Sequence, residues 1–212
     1  MAYEEIKDIY STVKNRIIER LDEFERLSKR SSEEEIFYEL VFCLLTPQSK
    51  ALSADKAIKT LLEKSLIFSD EVNQIADILK IVRFKNNKAR YIVQAKYKFM
   101  ENNKIFIKKY IDTDNIFQTR EWFWKNIKGI GLKEASHFLR NIGFGENIAI
   151  LDRHILRNLE KFKVISEIPK TITKDKYYAI EAEMKDFSSI INIPLSHLDF
   201  VLWYKEAGDI FK

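Results

Sequence analysis

With 212 residues, 46% of them hydrophobic, the chain is too apolar to be disordered and long enough to bury a sizeable core. Five glycines and three prolines amount to about a third of the usual share of helix breakers, which points to a mostly helical protein. The net charge of +4 fits a polyanionic partner without requiring one, and no apolar run approaches the roughly 18 uncharged residues of a membrane span.

The first residues, MAYEEIKDIY, carry acids where a secretion signal has basic residues and an apolar core, so a cytoplasmic protein is expected, associated with the nucleoid when on DNA. Over 3–29, Ile6, Ile9, Tyr10, Val13, Ile17, Leu21, Phe24 and Leu27 recur at three- and four-residue spacing, predicting a long amphipathic helix. Ser32 followed by Glu35 is a capping-box signature for a helix over 33–46. Its run IFYELVFCLL is apolar on nearly every side and belongs at the centre of a core. It holds the chain's single cysteine, Cys43, which excludes an intramolecular disulfide and a four-cysteine metal or iron–sulfur site. His137, His154 and His197 lie far apart, so no metal and no other cofactor is expected.

Pro47 ends that helix, and TPQSK leads into another over 51–63, with Ser69 as cap for one over 70–81. RFKNNK breaks the pattern; with Arg83, Lys85, Lys88 and Arg90 around Phe84 it reads either as a phosphate track or as a solvated helix start. Helices over 89–101 and from about 115 through WFWKNI follow. Gly129, Gly131, Gly143 and Gly145 then fall close together in IKGIGLKEASHFLRNIGFG, a helix end, tight turn, helix and glycine stop. Beyond lie an apolar NIAIL, a helix DRHILRNLEKF that Asp152 can cap, a helix after Thr173 and a last one from Ser196. There is no βαβ alternation and no repeat.

The turn Lys128-Gly129-Ile130-Gly131 lets the backbone reverse and point consecutive amides outward at a helix N-terminus, a seat for a phosphate; a ligand-free αα-corner is the alternative for a bare GxG. IKGIGLKEA resembles the hairpin of the helix-hairpin-helix DNA glycosylase superfamily, written h-P-G-h-G-x-K-x-A, and LDRHI resembles that superfamily's aspartate segment. With the early LLTPQS and the late LWYKEAG, the chain is similar, from about residue 31 onward, to the type-2 8-oxoguanine DNA glycosylase/AP lyases. Lys128 stands where the superfamily has proline, and the GFGEN loop makes the lysine-to-aspartate spacing one residue longer than its usual eighteen.

The resemblance implies an all-α fold of two lobes, 31–147 with the hairpin and 1–30 plus 148–212, with the active site in the cleft between them. It implies removal of 8-oxoguanine from double-stranded DNA by a monomer, with strand cleavage by β-elimination. Lys133 is then the nucleophile and Schiff-base former, and Asp152 stabilises charge on the sugar. Trp203 and Phe84 are the walls that sandwich the extruded base, although FVLWY alone reads as core. Lys212 is implicated in telling 8-oxoguanine from guanine, against the alternative of a frayed tail. Gln48 fills the gap left in the duplex, or is a polar turn residue; Lys128, Gly129, Ile130, Gly131, Arg83, Lys85 and Lys88 hold phosphates; His154 orients a phosphate or packs locally. The competing readings are an oxidised-pyrimidine glycosylase of the endonuclease III kind, whose relatives commonly carry an iron–sulfur cluster, and a noncatalytic helix-hairpin-helix DNA-binding module.

Overall fold

The computed structural model describes residues 3–211. Among them run ten helices: α1 (Glu4–Arg30), α2 (Glu33–Leu45), α3 (Ala51–Glu63), α4 (Val72–Ile78), α5 (Lys85–Phe99), α6 (Ile116–Asn126), α7 (Leu132–Asn141), α8 (Arg153–Lys161), α9 (Lys174–Ile191) and α10 (Leu195–Ala207). One two-stranded antiparallel ribbon, β1 (Met100–Glu101) and β2 (Lys104–Ile105), follows α5. Asn102 and Asn103 make its turn at φ 49 and 59, the left-handed pair that a two-residue hairpin needs. None of the helices is long and apolar enough to cross a membrane.

The chain divides into two compact units, Lys29–Phe138 and Met1–Ser28 with Leu139–Lys212. In the first, α2 is buried on all sides through Phe37, Leu40, Val41, Phe42, Cys43, Leu44 and Leu45 and packs against α3 and α5. The capping box at its start is present: Ser32 Oγ accepts from Glu35 N–H and Glu35 Oε2 accepts from Ser32 N–H. The helix expected over 70–81 begins at Val72, and Ser69 Oγ accepts from Glu71 N–H in the turn before it; a 3₁₀ turn continues to Ile81.

α5 starts at Lys85, four residues before the expected point, because the polar run is not a break. Its inner face reads Lys88, Ala89, Ile92, Ala95, Lys96 and Phe99, so the buried stem of Lys88 supplies the apolar position that the pattern lacked. The break itself is one residue, Phe84, at φ 59 in the N-cap position.

In the second unit, Ile6, Val13, Ile17 and Phe24 form the buried stripe of α1, and α10 packs on α8 and α9. Thr173 caps α9 as expected, accepting from Lys176 N–H, whereas α10 starts at Leu195 after Pro194 rather than at Ser196. The division between the units falls inside α7, not in the loop at 147. The last turn of α7 explains why. The Arg140 guanidinium lies over the rings of Phe24 (5.3 Å) and Phe200 (4.3 Å). Gly143, at φ +88, ends the helix with its N–H on Arg140 O and Phe144 N–H on Leu139 O, and a Cβ there would stand 2.9 Å from the Phe24 carbonyl oxygen.

Candidate active site

The hairpin belongs to Lys29–Phe138, and Asp152 to the other unit. Asn115 opens α6 by accepting from Gln118 N–H. Fully buried Arg120 donates to Ser136 Oγ (3.2 Å), and the Phe123 ring lies 4.8 Å from that of Phe138, so α6 and α7 are locked together. Ile127 and Ile130 are buried in the turn while Lys128 and Gly129 are exposed.

Two of the consecutive amides expected to point outward from the turn are instead occupied within the protein. Ile130 N–H donates to Ile127 O (3.2 Å), and Gly131 N–H donates to Glu134 Oε2 (3.2 Å). Glu134, three residues into the helix start, folds back over Gly131 as the acidic half of a capping box does. The donors left for an anion include those of Leu132, Lys133 and Glu134, which have no carbonyl within the helix to reach.

Gly129 sits at φ +91 with its backbone against the Tyr91 ring of α5, and a Cβ would lie 2.4 Å from that ring. At Gly131 the φ is not left-handed and the only close atom is the flexible Glu134 carboxylate at 2.8 Å. Gly129→Ala therefore destabilises the protein by about 2 kcal/mol or more, and Gly131→Ala by less than about 1 kcal/mol. Urea denaturation of the two variants checks the difference; equal losses contradict it.

Lys133 is half-buried in the first turn of α7, its Nζ 3.6 Å from Glu134 Oε1. Gln48 is exposed at φ 53, and Phe84 is 52% exposed with the Arg83 guanidinium over its ring at 5.4 Å. Arg83 is exposed, Lys85 is half-buried, and Arg90 is exposed and tied to Asn87. Lys88 is the exception to the phosphate track. It is 3% exposed, and its three ammonium hydrogens go to Leu45 O, Pro47 O and Ser49 Oγ, so it has no donor to offer DNA.

In the other unit, Asp152 is the N-cap of α8, its Oδ1 accepting from His154 N–H and Ile155 N–H, both at 2.8 Å. Among the described residues Oδ2 takes no hydrogen bond, so one oxygen fixes the carboxylate and the other stays available. The approach to it is strapped from α9: Ala149 N–H donates to Glu181 Oε1 (2.7 Å) and Tyr177 Oη–H to Ala149 O (2.8 Å). Half-buried Trp203 receives the His154 ring edge-on at 5.0 Å, and His154 Nδ1 stands 3.7 Å from Glu206 Oε2. Asn158 Nδ2 bridges His154 O and Glu206 Oε1. Lys212 lies outside the described residues.

The family profile described as 8-oxoguanine DNA glycosylase matches residues 17–193. The chain belongs to the 8-oxoguanine DNA glycosylase family. It is 49% identical over 211 residues to an 8-oxoguanine DNA glycosylase/AP lyase of Fusobacterium nucleatum, covering 99% of this chain and 97% of the relative. The 8-oxoguanine glycosylase/lyase of Methanocaldococcus jannaschii, solved with a 15mer DNA containing 8-oxoguanine, superposes at a TM-score of 0.88 with 36% identity over 99% of this chain and 98% of that one. The 8-oxoguanine DNA glycosylase of Thermotoga maritima does so at 0.86 with 33% identity, covering 99% and 97%.

This member of the family also has a residue near Asp152 that sequence reasoning missed. Asp199 of α10 is buried, 3.6 Å from Arg140 Nη1. Burial pushes its carboxyl up to about 6; Arg140 pulls it down in part, and Asp152 pushes it up further. An acid inside the apolar run PLSHLDFVLWY was the available signal. The folded protein holds the Asp199 proton more tightly than the unfolded chain, so its contribution is full below about pH 4 and is lost as pH rises through about 6. Asp199→Asn, which has no such titration, should gain about 2–3 kcal/mol on wild type between pH 4 and 7. Paired thermal melts at the two pH values read it, and parallel curves would refute it.

Proposed function

We propose that this chain is a bifunctional repair enzyme that removes 8-oxoguanine from DNA and then cuts the strand 3′ to the abasic site. The observation that carries the reading is the coincidence of full-length similarity to glycosylase/AP lyases with the two residues the chemistry needs: a lysine at the start of the hairpin's second helix and a rigidly capped aspartate.

The neutral amine of Lys133 attacks C1′, and the base leaves with the glycosidic electron pair and takes up a proton. Positive charge develops on the sugar during that step, and the Asp152 carboxylate stabilises it. The resulting aminal opens to a Schiff base between Lys133 and C1′; loss of a C2′ proton then expels the 3′-phosphate. The α7 amides and Lys128 grip a backbone phosphate, and exposed Arg83 and half-buried Lys85 serve neighbouring ones. Phe84 and Trp203 hold the extruded base, and Gln48 occupies the place it left.

Duplexes carrying 8-oxoguanine, guanine or thymine glycol at one site test the reading. Strand cleavage at 8-oxoguanine far above the other two is expected. Preferential cleavage at thymine glycol would move the protein to the oxidised-pyrimidine class, and binding without cleavage would leave a DNA-binding module.

A further inference from the structure

A buried lysine spending all three hydrogens on a loop is costly to build, since its stem could be replaced by an aliphatic side chain without placing a charge in the core. Lys88 is such a residue. Its acceptors, Leu45 O at 2.7 Å, Pro47 O at 2.9 Å and Ser49 Oγ at 3.0 Å, bracket Gln48 on both sides. Gln48 itself is held at φ 53, a conformation that a glutamine adopts only when its surroundings impose it. Ser49 Oγ in turn accepts from Arg83 N–H (3.0 Å), joining the same loop to the residue before Phe84. The charged groups facing Lys88 come from α7: Glu134 favours the ammonium and Lys133 opposes it, while burial, the largest influence, lowers it to about 8.

We propose that Lys88 is a positioning residue that fixes the loop 47–49 so that Gln48 is presented to the duplex, and that it therefore governs base extrusion rather than bond breaking. The proposal rests on the reading above, in which Gln48 fills the gap left by the base. An ammonium matches three acceptors with three donors, and no neutral side chain of similar length does so. A methionine keeps the stem's volume and leaves Leu45 O, Pro47 O and Ser49 Oγ without that partner, freeing the loop from its imposed conformation.

The test compares two single-turnover rates in Lys88→Met: excision of 8-oxoguanine from a duplex, and strand cleavage at a preformed abasic site in single-stranded DNA, where no partner strand has to be filled. Duplex excision is expected to fall about tenfold or more and single-strand cleavage to stay within about twofold. Gln48→Ala should give a similar split, and the double variant should be no worse than either single one, since both act through one loop. Ser49→Ala removes one acceptor and is expected to show a smaller split in the same direction; it carries the test if Lys88→Met fails to fold. A wild-type protein that does not excise 8-oxoguanine overturns the functional reading and this proposal with it. A wild type that does, with equal losses on both substrates or additive effects of Lys88→Met and Gln48→Ala, overturns this proposal alone.

Discussion

Lys133→Gln is expected to abolish the covalent adduct that borohydride should trap between the protein and 8-oxoguanine DNA, and to lower strand cleavage by about three orders of magnitude or more. Glutamine is one bond shorter but unbranched at Cβ and polar at its tip, and the Gly131 N–H bond to Glu134 that orders the start of α7 does not involve residue 133, so α7 should retain its N-terminal arrangement. The amide has no basic lone pair with which to attack C1′ and cannot form a Schiff base. Binding to lesion DNA should survive within about tenfold, because the proposed phosphate grip uses backbone amides and Lys128 rather than the Lys133 tip. Loss of binding in step with loss of cleavage would mean that Lys133 is only a phosphate contact.

Asp152→Asn is expected to lower base excision by about two orders of magnitude while leaving the melting temperature nearly unchanged. Helix capping and the proposed catalytic role of this side chain are separable because they use different features of it. Capping needs an oxygen that accepts from His154 and Ile155 N–H, and asparagine supplies one. Stabilising a cationic sugar needs the negative charge, which asparagine lacks. Asp152→Ala loses both, with an added stability cost of about 1 kcal/mol, or roughly 2–4 °C in a chain of this size. If Asn retains excision and Ala loses it, the residue matters as a helix cap and the charge is irrelevant. Stability is read by thermal melts and excision by single-turnover kinetics on the same preparations.

The features that could be read from the chain are those written in nearest neighbours. The stripe of α1, the Ser32–Glu35 box, the Thr173 cap and the hairpin with its lysine all depend on residues within one or two helical turns of each other. What escaped reading depends on distant partners. Lys88 looked like a phosphate ligand because a sequence shows its charge and hides its stem; only the fold brings Leu45, Pro47 and Ser49 to it from some forty positions away. The Glu134 carboxylate over Gly131 is only three residues away, but in the sequence an acid in the first turn of a helix signals a favourable dipole contact as readily as a bond back to the turn. Glu181 and Tyr177 of α9, which strap the segment before Asp152, carry no motif at all. The placement of Phe84 at φ 59 was hidden for the opposite reason: an aromatic residue is a poor signal for a left-handed turn.

The proposed mechanism assigns the chemistry to one particular amine. Borohydride trapping on 8-oxoguanine duplex DNA, followed by nuclease digestion and peptide mass spectrometry, locates it directly. A reduced deoxyribose adduct on Lys133 is expected. The rival nearest to hand is Lys88, whose charge interacts with that of Lys133 and whose ammonium is lowered to about 8 by burial. An adduct mapped to Lys88, or to any lysine other than Lys133, would rule out Lys133 as the nucleophile.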